Sequence, residues 1–172
     1  MTKNIVVFSD GTGQEGGNGH NTNIYKLYNL ISDRNPKQVA YYSQGLGTDK
    51  GKVTGNISGM GITKNILNCY KFIFDNYEVG DQIYLFGFSR GAATMRSLSS
   101  FIHHFGILPK ARPELIKKAY AIYKNTKREK IDDEAKIFVE KHHNIWTNIH
   151  FLGCFDTVAA LGLPNKTLSG LL

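Results

Sequence analysis

Long apolar runs are missing from this sequence. No window approaches the ~18 consecutive apolar residues that a membrane-spanning helix needs, so a helical membrane protein is excluded as a reading. The amino-terminal stretch MTKNIVVFSDG holds an apolar run only from Ile5 to Phe8, with no small-residue cleavage site behind it. No signal peptide is expected. The chain is expected in the cytoplasm as made, and any export would use a secretion system that needs no signal peptide. Cysteine is also scarce. Cys69 and Cys154 stand far apart and match no metal-ligand spacing, and they are expected as buried free thiols in a reducing compartment. Internal repeats and low-complexity tracts are lacking too. Acidic residues are outnumbered, 14 against 21 Lys and Arg, for a net charge of +7. Such a balance suits an anionic partner.

What is present is a regular alternation. With 172 residues, 41% of them hydrophobic, the chain can bury one substantial core, and residues 1–172 are read as a single domain. NIVVFS (Asn4 to Ser9), QVAYYS (Gln38 to Ser43), QIYLFG (Gln82 to Gly87) and NIHFLGCF (Asn148 to Phe155) are β-branched or aromatic and end at glycine or polar residues, as buried strands do. Helical periodicity lies between them. Asn21 or Thr22 can cap a helix with Ile24, Leu27, Tyr28 and Ile31 on one face, ended by Asn35-Pro36. Ile62, Ile66, Leu67, Tyr70, Ile73 and Phe74 mark a second helix, stopping near Val79-Gly80-Asp81. Arg90 to Phe105 is a third, and a charged stretch from about Arg112 reads as two more. Strands alternating with helices predict a three-layer α/β core around a mostly parallel sheet. Its sites are expected at the carboxyl ends of the strands.

Three loops leave strands at that edge. Gly11-Thr12-Gly13-Gln14-Glu15-Gly16 satisfies G-x-G-x-x-G, but helical periodicity starts only near Asn23, too late to bring helix amides to a pyrophosphate. Gly45 to Lys52 resembles a phosphate loop, with Leu46 and Val53 where that pattern needs glycine and a hydroxyl. Gly87-Phe88-Ser89-Arg90-Gly91 fits G-x-S-x-G between a strand and a helix, the context in which a serine is exposed on a sharp turn. There the Arg90 amide, at a helix N-terminus, faces a developing oxyanion, and a second amide from Gly11 or Thr12 is expected. Asp156, at the end of the last strand, can orient an imidazole. All six histidines (His20, His103, His104, His142, His143 and His150) precede Asp156, and TVAALGLPNKTLSGLL after it contains none. His103 and His104 lie ~20 Å from Ser89 along the helix. His20 alone falls on the correct side of the sheet.

FSDGT, YYSQGLGT, GFSRGA and FLGCFDTVAALG, in that order from Asp10 to about Gly162, resemble the α/β-hydrolase family that includes the phospholipase effectors of bacterial type VI secretion. The resemblance implies an α/β-hydrolase fold, here cut short at its C-terminal end. It implies Ser89 as nucleophile, Asp156 as acid and the Asp10-Gly11-Thr12 loop as the oxyanion region. Ester hydrolysis of membrane glycerophospholipids without a cofactor or metal is implied as well. In that family the histidine lies well beyond the acid, so a downstream segment or partner chain is expected to supply it. The alternative is a hydrolase-like scaffold that binds without turning over. A nucleic-acid partner is not expected, since Glu129, Asp132, Asp133 and Glu134 interrupt the basic run.

Overall fold

A computed structural model of the chain describes residues 2–17, 19–31, 37–45 and 59–158. Four strands, β1 (Asn4–Ser9), β2 (Gln38–Ser43), β3 (Gln82–Phe88) and β4 (Ile149–Phe155), form an all-parallel sheet in the order β2-β1-β3-β4. β1 is central because both its faces are apolar: Val6 and Phe8 point one way, Ile5 and Val7 the other, and all are buried. Its register runs Ser9 beside Ser43 and Gly87, so the strand ends are level.

The helices divide between the two faces. α1 (Asn23–Leu30) lays Ile24, Leu27 and Tyr28 over Val6, Phe8 and Phe86. On the opposite face, α2 (Gly59–Asn76) and α3 (Arg90–Phe105) pack Ile66, Tyr70, Leu98 and Phe101 against Ile5, Val7, Ile83 and Leu85. α4 (Leu115–Asn125) and α5 (Ile131–His142) add Tyr120, Tyr123 and Phe138 to that side. Three layers result, as the alternation predicts. The lysines of the charged stretch, Lys117, Lys118 and Lys124 among them, are exposed beside a buried Leu115-Ala119-Tyr123 stripe.

Some expectations need correction. α1 stops at Leu30, before Asn35-Pro36, because Ile31 turns extended (φ −76°, ψ 146°) while its N–H still caps Leu27 O. Residues 32–36 lie outside the described residues, as do 46–58, which hold most of the Gly45 to Lys52 loop. β3 runs one residue further than read, to Phe88, and β4 begins one later, at Ile149. α2 ends at Asn76, and Glu78 to Asp81 form a turn instead of helix. Cys69 is buried as expected, but Cys154 is exposed. Its strand pairs only with β3 among the described residues, so the side chains of β4 lack a neighbour on the outer side.

Candidate active site

Parallel strands bring every strand exit to one edge, and the β3 exit is the tightest. Ser89 adopts φ 53°, ψ −119°, in the half of backbone space that non-glycine residues rarely occupy. Such a conformation costs on the order of 1–3 kcal/mol and persists only where neighbours enforce it. The neighbours are identifiable. Ser89 N–H donates to Phe155 O (2.9 Å), and Ser89 O accepts from Ala92 N–H (3.1 Å) and Val158 N–H (3.3 Å). The flanking glycines allow the approach: a Cβ on Gly87 would fall 2.6 Å from Ala92 Cα. α3 starts at once, and no acceptor among the described residues takes the Arg90 amide.

Those bonds also locate Asp156. It sits between Phe155 and Val158, both bonded to the Ser89 backbone, so the β4 exit is laced to the β3 exit. Asp156 is exposed and itself has positive φ, 46°. Its carboxylate has no hydrogen-bond partner among the described residues, which leaves it free to accept from an incoming donor.

The β1 exit completes the edge. Gly11 N–H donates to Asp10 Oδ1 (2.8 Å), so this amide is already engaged. Gln14 N–H closes a turn onto Gly11 O (3.1 Å), with Gly13 at φ 74° as its third residue, the position where a type II turn demands positive φ. Thr12, the second residue of that turn, has no acceptor for its amide among the described residues, and its Oγ1 is buried without a partner. The turn begins against the serine: a Cβ on Gly11 would lie 3.3 Å from Ser89 Cβ. Of the two amides that the sequence offers, Thr12's is therefore the available one.

Asp10 has a larger part than the sequence reading gave it. It is 2% exposed. Its Oδ2 accepts from Thr22 Oγ1 (2.6 Å) and Tyr42 OH (2.7 Å). Burial, and then the Asp10 hydrogen bond, raise the Tyr42 phenol well above its ordinary range, so Tyr42 stays a donor. Nothing in the spacing of residues 10, 22 and 42 announces this contact, because it depends on β2 lying beside β1.

The histidines do not gather at this edge. His103 and His104 end α3, where His104 Nε2 lies 3.3 Å from Asp132 Oδ1 and Nδ1 lies 2.7 Å from Ser100 O. His142 and His143 end α5, and His150 enters β4 from the opposite edge. His20, exposed in the β1–α1 loop, is on the site's side of the sheet. The Gly11 to Gly16 fingerprint has no helix behind it, since α1 starts at Asn23. No cluster of metal-ligating side chains occurs among the described residues, and no helix among them is long and apolar enough to cross a membrane.

Residues 3–171 match the family described as T6SS phospholipase effector Tle1-like, catalytic domain. Over 191 aligned residues the chain is 30% identical to the uncharacterized protein YEL023C of Saccharomyces cerevisiae (strain S288c), a match covering 96% of this chain and 28% of that protein. The chain thus spans about 28% of the length of this curated relative. No solved structure matches it.

Proposed function

The chain belongs to the T6SS Tle1-like phospholipase effector catalytic-domain family, and from that premise we propose that it is a serine ester hydrolase domain acting on phospholipid esters. The observation carrying the reading is Ser89, held at φ 53° on the β3–α3 turn beside the exit of β4. Its Oγ attacks the ester carbonyl carbon while its proton passes to an imidazole. The carbonyl oxygen, now negative, takes hydrogen bonds from the Arg90 and Thr12 amides. The tetrahedral species collapses, the C–O bond to the lipid alcohol breaks, and that alcohol leaves with the proton. Water then hydrolyses the acyl-serine by the same route in reverse.

Asp156 orients the imidazole and stabilises its cation. The base is proposed to come from outside these 172 residues, from a further segment or a partner chain, because His103 and His104 stand ~20 Å along α3 from Ser89 and the exposed His20 shares only the side of the sheet with it. That same separation favours one alternative, a scaffold that binds phospholipid surfaces without hydrolysis. The exposed lysines of α4 and the +7 charge suit either reading at an anionic membrane. Type VI secretion is named in the family's description; for this chain, export by that route and a bacterial setting are part of this proposal.

A fluorophosphonate probe on the full-length protein separates the two. Labelling of Ser89, lost in Ser89→Ala together with fatty-acid release from phosphatidylglycerol vesicles, is the expected result. Vesicle binding without labelling or fatty-acid release would establish the scaffold instead.

A further inference from the structure

A buried carboxylate at the edge of an active site is either part of the chemistry or part of what holds the chemistry still. Asp10 is one residue from the turn that abuts Ser89, and its acceptor capacity is already engaged: Gly11 N–H on Oδ1, Thr22 Oγ1 and Tyr42 OH on Oδ2. With both oxygens bonded and only 2% of the residue exposed, Asp10 cannot also orient an imidazole or reach a substrate. Its three donors come from different places. Gly11 belongs to the β1–α1 turn, Thr22 accepts Tyr25 N–H (3.1 Å) as the cap of α1, and Tyr42 stands on β2. The Asp10 N–H donates to Ser43 O (3.0 Å), and further along Gly45 N–H donates to Gln14 O (3.0 Å). The turn carrying Thr12 is thereby clamped from the β2 side, while its Gly11 corner rests on Ser89 Cβ and Phe88.

The loop would otherwise be hard to fix. Between Gly11 and Gly19 it holds five glycines, each free to adopt conformations closed to other residues. An amide that stabilises a transient oxyanion contributes only if it is already aimed when the charge forms. We propose that Asp10 is a positioning residue: its carboxylate, bonded to Gly11, Thr22 and Tyr42, fixes the β1–α1 turn so that the Thr12 amide and hydroxyl stand beside Ser89. The inference rests on the serine-hydrolase reading above. It adds a third donor, the buried Thr12 Oγ1, unpartnered among the described residues, and a reason for an aspartate that never touches substrate.

The test is the inactivation kinetics of the full-length protein with an alkyl fluorophosphonate, whose phosphoryl oxygen stands where the oxyanion would. Asp10→Asn keeps an acceptor for Gly11 but offers Thr22 and Tyr42 an N–H₂ in place of an oxygen. It is expected to lower the maximal inactivation rate about tenfold to a hundredfold, as a small misplacement of catalytic groups does, with the concentration for half-maximal rate within about twofold. Tyr42→Phe, which preserves packing, should show the same split in weaker form and decides the matter if Asp10→Asn does not fold. Ile24→Val destabilises the same side of the sheet without touching these bonds, and its maximal rate should be unchanged. Equal maximal rates for wild type, Asp10→Asn and Tyr42→Phe overturn the positioning role alone. A wild type that does not label at Ser89 overturns the hydrolase reading and this inference with it.

Discussion

A single methyl group would test how tightly the β3 exit is built. At Gly91 a Cβ would stand 2.1 Å from Ser9 O and 2.6 Å from Asp10 O, and at Gly87 it would stand 2.6 Å from Gly91 O. These obstacles are backbone atoms, which cannot rotate away as a flexible side chain can. Gly91→Ala is therefore expected to push α3 off the end of β1, costing about 1–3 kcal/mol as overpacked cores do, and to displace Ser89. Gly13→Ala makes the contrast. No atom lies within 4 Å of its would-be Cβ, but its φ is 74°, so only the backbone preference of about 1 kcal/mol is lost. Urea unfolding of both variants should rank them in that order, and an equal loss would mean that the Ser9–Gly91 approach is slack. The same residue scale separates what sequence could and could not convey. Gly87 and Gly91 announce themselves beside Ser89, because a motif is a local pattern. Asp10 does not, because its donors Thr22 and Tyr42 lie 12 and 32 residues away.

Among the elements, the strands were legible almost to the residue, since β-branched and aromatic runs bounded by glycine leave few alternatives for β1, β2 and β3. Helix ends were less so. The cap of α1 is Thr22, one of the two candidates, because its Oγ1 can accept Tyr25 N–H while donating to Asp10. The end of α1 was misplaced, since the proline signal lay beyond the true stop at Ile31. Removing the Thr22 hydroxyl should cost both bonds. Thr22→Ala is expected to lower stability by about 1–2 kcal/mol, seen in chemical denaturation. At the other edge of the sheet, Asp81 ties the α2–β3 turn to the start of β1, through Lys3 N–H (2.9 Å), Glu78 N–H (2.8 Å) and the Lys3 ammonium. Burial alone would raise its carboxyl, but the Lys3 and Glu78 donors outweigh this and hold it below its ordinary value. A carboxylate depressed in the fold stabilises above its unfolded pKa of about 4, and that contribution is lost as pH falls through the folded value. Asp81→Asn should therefore be less stable than wild type at pH 7, with the gap closing as pH drops from about 5 toward 3. A gap independent of pH would mean that shape and not charge makes the contact.

At the scale of the whole molecule, the layering followed from alternation, but the unequal cover of the two faces did not. Periodicity identifies an apolar side of a strand without saying whether anything lies on it. On β3 and β4, the α1 face carries Tyr84, Phe86, Phe88, Phe151 and Phe155, and α1 packs over β1, β2 and β3 but does not extend over β4. Phe151 remains 48% exposed and Phe155 39%, while Leu152 on the opposite face is also 39% exposed. β4 in addition has only β3 as a hydrogen-bonded neighbour among the described residues. An edge strand with apolar groups on both faces is a template for pairing with another chain. Residues 1–172 expressed alone should therefore self-associate as concentration rises, which light scattering coupled to size exclusion can follow. A lysine at the edge resists such pairing because its charge would have to be desolvated. Phe151→Lys combined with Leu152→Lys is expected to shift the chain toward monomer while leaving the Ser89 turn, held through the Phe155 carbonyl, in place. If the double variant associates as readily as the parent, the adhesive surface lies elsewhere, and the exposed aromatics of β4 need no covering partner.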